Sequence, residues 1–242
     1  MGFLKYNIAN LIGSGARVLY ADSTWALPVS GGAPTIKLSD IITLVGPDYA
    51  PKAGWNDLGA AREGQGAQYE RNIEETEQSL EQATGAVFTD ITDTPRSITM
   101  QMAEMSPDNV RKFLENAPAS RAVAAAPGAG TAGTSAQTGV DFGSFENLSR
   151  YRVAIIGQRR KGTGADVTET GNAGNVRGAF VGVVLFSATI AAENAQYELQ
   201  KGQIANVAVQ MRAMPESTVT DSLRDRGVWL FENTGNQTIA IA

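Results

Sequence analysis

Residues 178–190 read Gly178-Ala179-Phe180-Val181-Gly182-Val183-Val184-Leu185-Phe186-Ser187-Ala188-Thr189-Ile190. Val181, Val183 and Leu185 alternate with Val184 and Phe186, so an extended chain is apolar on both faces. A strand of that kind sits in the middle of a sheet with structure packed over each side. The stretch therefore predicts a β-rich fold built around itself. Working outward, 204–213 alternates: Ala205, Val207, Val209 and Met211 lie on one face, Asn206, Gln210 and Arg212 on the other. That is a half-buried strand. Tyr151 to Gln158 is a further strand, and Val228 to Glu232 and Thr238 to Ile241 are short final ones.

The same style of patterning holds upstream. Ala16 to Tyr20 forms a short strand after Gly13-Ser14-Gly15. Val87 to Thr92 is β-branched and aromatic, Asp93-Thr94-Pro95 punctuates it, and 97–105 alternates with Ile98, Met100 and Met102 on one face. Together the two runs read as a β-hairpin. Ser106, Pro107 and Asp108 open a helix at 107–115: a capping hydroxyl, a proline at the first helical position and an acid at the positive end. Val110, Phe113 and Leu114 form its apolar stripe and Pro118 ends it. Many strands with one helix predict a mainly β chain, a β-sandwich or barrel with a flanking α-helix.

Two segments break the pattern. Residues 22–60 contain Pro28, Gly31, Gly32, Pro34, Pro47, Pro51 and Gly54, with one apolar run from Ile41 to Val45. They read as a long irregular loop, of the kind that is functional or ordered by a partner. Residues 117–139 are mostly Ala, Gly, Ser, Thr and Pro, cannot form a core, and read as a flexible surface excursion. Strands resume after it, so residues 1–242 are expected to form a single domain.

Composition removes most catalytic chemistry. The 242 residues contain no Cys and no His, which excludes disulfides, thiolate metal sites, Ser-His-Asp and Cys-His hydrolysis and zinc hydrolysis. The chain is expected to be no enzyme and to bind no cofactor and no metal. Met1 to Leu11 does not read as a secretory signal, and no stretch approaches a membrane-spanning apolar run. A net charge of −5 also argues against tight binding of nucleic acid.

Specific site candidates are weak by the same logic. Gly13-Ser14-Gly15-Ala16 lacks the preceding strand and third glycine of a phosphate loop and reads as a turn. Arg159-Arg160-Lys161 could touch phosphate, but reads as a solvated hairpin tip or a salt-bridge patch. The carboxylate pairs Asp90 with Asp93 and Glu74 with Glu75 have no apolar pocket nearby to raise a pKa for acid catalysis. The acidic run 69–82, Tyr69-Glu70-Arg71-Asn72-Ile73-Glu74-Glu75-Thr76-Glu77-Gln78-Ser79-Leu80-Glu81-Gln82, places Tyr69, Ile73 and Leu80 at i, i+4 and i+11. By pattern alone this favours an amphipathic helix.

A resemblance bears on that run. Trp55-Asn56-Asp57-Leu58-Gly59, Arg62-Glu63-Gly64, the acidic stretch through Glu81-Gln82, Gly85-Ala86-Val87 and the Ser106-Pro107-Asp108-Asn109 helix start follow one another in order. So do Leu185-Phe186, Tyr197-Glu198-Leu199-Gln200-Lys201-Gly202, Ala205-Asn206-Val207-Ala208-Val209 and Met214-Pro215. This ordered set, covering about half the chain, resembles bacteriophage tail tube (major tail) proteins. The resemblance implies a β-sandwich subunit, six copies in a ring, inner strands forming a barrel across the ring, and rings stacked into the conduit for genome delivery. It also implies strand rather than helix for 69–82, with Glu70, Glu74, Glu75, Glu77 and Glu81 as lumen-facing candidates. By strand alternation Glu75, Glu77 and Glu81 share a face with Arg71, and Glu70 and Glu74 share the other. The loop 22–60 would reach a neighbouring subunit, anchored by Trp25, Ile41, Ile42, Leu44 and Trp55.

The implied partners are further copies of the chain, tape-measure, terminator and distal tail proteins, and double-stranded DNA in transient passage, with no membrane. The implied location is the virion tail, after synthesis in the host cytoplasm. Competing expectations are another β-rich virion component (a tail terminator, collar or decoration protein) and a carbohydrate-binding β-sandwich module. The last would need exposed aromatic residues grouped on one strand face.

Overall fold

Phe180–Ile190 is the longest strand of the computed structural model and lies in the interior of its largest sheet. The structure describes residues 16–30, 33–44, 49–59, 67–78, 88–102, 106–117, 120–123, 137–141, 148–158, 166–168, 176–190, 196–198, 206–220, 225–232 and 239–240. In chain order the elements begin with β1 (Arg17–Asp22), β2 (Val29–Ser30), β3 (Ala33–Ile36), α1 (Leu38–Ile41) and β4 (Trp55–Asp57). They continue with β5 (Gln68–Arg71), β6 (Glu74–Gln78), β7 (Phe88–Asp93) and β8 (Arg96–Met102). Helix α2 (Pro107–Asn109) runs into a π-helical turn at Val110–Leu114. The remaining strands are β9 (Ser120–Val123), β10 (Gln137–Val140), β11 (Arg150–Gln158), β12 (Asp166–Thr168), β13 (Val176–Gly178), β14 (Phe180–Ile190), β15 (Gln196–Glu198), β16 (Asn206–Ala213), β17 (Gly227–Phe231) and β18 (Ile239–Ala240).

Nine strands form one antiparallel sheet in the order β4-β1-β11-β14-β16-β8-β5, with β15 beside β16 and β17 beside β14. Among the described residues the path has two open ends, so the sheet they form does not close into a barrel. As 178–190 predicted, β14 is covered on both sides. Leu185, Ala188 and Ile190 join Val18, Tyr20, Tyr151 and Val153 in one core cluster. Phe180, Val184 and Phe186 join Leu19, Ala21, Ala154 and Ile156 in a second. Ile98, Met100, Met102, Val209 and Met211 of β8 and β16 enter the first cluster with residues of β1 and β11. Strands far apart in the sheet share that layer, so the sheet curls over on itself in the manner of a sandwich.

The curl coincides with an irregularity in β14. Tyr151 pairs with Ala188 and Val153 with Leu185, so β14 carries one more residue than β11 between these pairs. A bulge of this type bends its strand and increases twist. It also reverses the alternation, which is why Leu185 and Ala188, three residues apart, point into the same cluster. Opposite the bulge, Arg152 is 4% exposed. Its Nε donates to the Trp25 carbonyl (2.6 Å), and its Nη1 donates to the Phe186 carbonyl (2.8 Å) and to Glu216 Oε2 (3.1 Å). Burial lowers the Arg152 pKa and the Glu216 carboxylate pulls it back up.

The helix at 107–115 forms as its sequence predicts. Ser106 Oγ accepts the Asn109 N–H at 3.1 Å, and Phe113 is fully buried in the first cluster. The helix is pinned to β1 by charge. Asp108 pairs with Arg111 (2.7 Å) and Lys112 (3.3 Å), and Lys112 also reaches Asp22 (3.7 Å) while its Nζ lies 4.9 Å above the Tyr20 ring. Partial burial works to raise the Asp108 pKa, but the two cations outweigh it and hold the carboxyl below its usual value. Burial, reinforced by the Asp108 charge, pushes the Tyr20 hydroxyl up to about 12.

Two expectations are corrected. Residues 87–92 and 97–105 do not pair with each other: β7 pairs with β6, and β8 lies between β16 and β5. Residues 68–78 and 88–102 instead form one long interrupted arm, with the Asn72 N–H donating to the Pro95 carbonyl at its joint. The segment 22–60 contains β2, β3, α1 and β4, and it supplies Leu27, Ile36, Leu38, Ile41, Ile42 and Trp55 to the second cluster. Of the excursion expected at 117–139, residues 118–119 and 124–136 lie outside the described residues; its described part pairs β9 with β10 from Ser120↔Val140 to Val123↔Gln137.

Candidate assembly surface

The acidic run 69–82 is extended where described, as β5 and β6. Its helical spacing loses because Gln68 to Arg71 hydrogen-bonds along β8, setting Tyr69 beside buried Ile98. Ladder pairing and burial outweigh a weak local propensity. Together β15, β16, β8 and β5 make a four-stranded antiparallel segment. Among the described residues β5 and β15 each have one strand neighbour, so both edges of this segment are open.

Cross-strand register assigns its two faces. One face carries the row Tyr69–Ile98–Met211–Ile190 and the pair Met100–Val209, and it packs into the first core cluster. The other carries the row Glu70–Ser97–Arg212–Thr189–Arg150 and, further along, Gln68–Thr99–Gln210. Glu70, Arg212 and Arg150 are exposed, and Ser97, Thr99 and Gln210 are half-buried. This face is hydroxyl- and amide-rich, and Glu70 shares its row with two arginines. Among the described residues it is polar without being acidic.

The acidic residues concentrate further out on the arm. Glu74 is paired with Asp93, Glu75 with Ile91, Thr76 with Asp90 and Glu77 with Thr89. The register shifts between Glu74 and Glu75, so the parity that grouped Glu74 with Glu70 in the sequence does not carry across that point. Glu74, Glu75 and Glu77 have their backbones in β6, whereas Glu81 lies outside the described residues, as do Arg159, Arg160, Lys161 and Gly13 to Gly15. Acids placed directly opposite one another weaken a strand pair, and a two-stranded ribbon is marginal by itself. The composition of the arm suits a site stabilised by further contacts.

The expected anchors for a neighbouring subunit are used within the chain. Ile41, Ile42 and Trp55 are 0%, 1% and 4% exposed, and Trp25 and Leu44 pack against the same cluster. The Trp25 and Trp55 rings meet edge to face at 5.2 Å. An apolar side chain already buried against its own sheet has little surface left to offer another subunit, so these residues hold 22–60 to this chain's core.

Sequence reading missed one feature of the surface. Aromatic residues are grouped on one strand face after all: Trp229 and Phe231 of β17 project outward, 44% and 49% exposed, with their rings 6.2 Å apart and nearly parallel. Tyr69 of β5 meets Trp229 edge-on at 5.5 Å. The signal was the alternation Val228-Trp229-Leu230-Phe231, in which Leu230 is buried and its neighbours are not. Among the described residues no helix is long and apolar enough to cross a membrane. No protein-family model matches the chain, and no curated protein is significantly similar to it.

Proposed function

We propose that the chain is a structural subunit that assembles with copies of itself into stacked six-membered rings, the tube of a bacteriophage tail. The observation that carries this reading is the four-stranded segment β15-β16-β8-β5. It has an apolar face spent on the chain's own core, a polar face turned away from it, and two open edges. Open edges favour pairing with another strand, and closure into a barrel is the arrangement that removes them. Six copies contributing four strands each give about 24 strands, which at ~4.8 Å spacing make a circumference of about 115 Å. The backbone diameter is then roughly 37 Å, larger with tilt, and side chains on the inner face still leave room for a duplex.

In this arrangement the polar face lines the bore. Glu70 lies in one row with Arg212 and Arg150, a single excess positive charge per copy among hydroxyl and amide groups, so phosphates meet few cations with which to exchange counterions. A duplex can then slide without adhering. The acidic arm adds repulsion wherever it borders the path. The reading takes double-stranded DNA as a transient passenger, tape-measure, terminator and distal tail proteins as partners, and the virion tail as the location. Electron microscopy of the purified protein tests it. Hollow tubes of stacked rings support the proposal. Isolated rings or monomers at every concentration overturn it in favour of a terminator, collar or decoration protein.

A further inference from the structure

The exposed aromatic pair on β17 lies beside the open edge of the four-stranded segment. Trp229 and Phe231 stack on each other, and Trp229 touches Tyr69 of β5, the terminal strand of the sheet path. Large aromatic rings left in water add little to the fold, yet they are the side chains most enriched at protein–protein contacts. At the opposite edge, Tyr197 of β15 is in register with Val207, and Val207 with buried Met102. The cross-strand row of Met102 thus runs through β16 to the β15 edge, and Tyr69 stands on the β5 edge.

We infer that a second copy of this chain covers the Trp229–Phe231–Tyr69 patch, its β15 edge lying along β5, since among the described residues each of these strands has one strand neighbour. This inference rests on the self-assembly reading and adds to it the contact that sets the strength of the ring. β15 and β5 are three and four residues long, so their ladder alone supplies few hydrogen bonds. Burial of the aromatic patch supplies the rest. A subunit whose patch is uncovered stays monomeric at low concentration, and one whose patch is covered is held by rings that lose most of their contact with water.

Two measurements test this. Trp229→Phe compared with wild type isolates the emission of Trp229 from that of Trp25 and Trp55. Emission from Trp229 should shift to the blue on assembly, and the shift should be absent from the variant. The double variant W229A/F231A should unfold cooperatively like wild type, while the concentration at which half the protein assembles rises at least tenfold. If wild type assembles but Trp229 emission does not change, or the double variant assembles at the wild-type concentration, the inference is overturned and the self-assembly reading stands. A wild-type protein that never assembles overturns both. A Trp229 response to soluble oligosaccharide or lipid vesicles in the unassembled protein, with none on assembly, gives the patch to another occupant and overturns the inference. Should the double variant not fold, the comparison with Trp229→Phe decides alone.

Discussion

Arg152→Met removes a guanidinium whose acceptors lie on three separate segments of the chain. The Trp25 carbonyl belongs to the segment before β2, the Phe186 carbonyl to the bulge of β14, and the Glu216 carboxylate to the loop after β16. The side chains of Arg152 and Glu216 are 5% and 12% exposed, so solvent screens their pairing little. Methionine fills much of the same volume but leaves Glu216 charged, with Thr218 as its remaining partner through the N–H and hydroxyl. Breaking one side of a buried pair costs roughly 3–5 kcal/mol. In a domain of this size each kcal/mol shifts the midpoint by about 2–4 °C, so the expected fall in Tm is about 6–20 °C. The assay is urea unfolding followed by tryptophan emission, with circular dichroism as a second probe of two-state behaviour. Adding Glu216→Gln to Arg152→Met removes the stranded charge and should restore part of the loss, about 1–3 kcal/mol. A cost below about 1 kcal/mol for Arg152→Met, or no recovery in the double variant, would refute the assignment of Arg152 as the tie between these segments.

Four further outcomes are expected. Tyr20 has a folded-state pKa above its unfolded value, so its contribution is fully present below about pH 10 and is lost as pH rises towards about 12; Tyr20→Phe should flatten the alkaline fall in stability, and an unchanged slope contradicts this. Gly54 has φ +85°, and a Cβ there would lie 2.5 Å from Trp25 Cδ1, so Gly54→Ala should cost roughly 1–3 kcal/mol and change Trp25 emission; a neutral result shows that the turn relaxes. Replacing 124–136 by Asn-Gly should leave the unfolding midpoint unchanged, because Val123 and Gln137 are already opposite each other and a two-residue turn can join them; loss of folding would show that this segment supports the core. Glu70→Lys should permit tubes that retain DNA in a salt-dependent way, read by binding at two ionic strengths; tubes that bind no DNA would remove Glu70 from the bore.

The local order of the chain was legible without a structure. Two-sided apolar character marked β14 as central, strict alternation marked β8 and β16 as half-buried, and Ser106-Pro107-Asp108 marked a helix start. Each is a signal carried by residues within a few positions of one another. Strand partners were not legible, because alternation says which face a residue occupies and nothing about which strand lies beside it. Pairing 87–92 with 97–105 was the short-range choice, whereas the fold pairs β8 with β16, more than a hundred residues away. The same limit explains 22–60: proline and glycine spacing describes an irregular path, but only the exposed second face of the sheet determines that Trp25, Ile41, Ile42, Leu44 and Trp55 pack there. For the candidate surface, composition located the acids, while the register placed Glu70 opposite the core and broke the alternation at Glu75. Strand character at 69–78 and the exposure of Trp229 and Phe231 were likewise decided by tertiary contacts, since burial is a property of what covers a residue and that neighbour is distant in the chain.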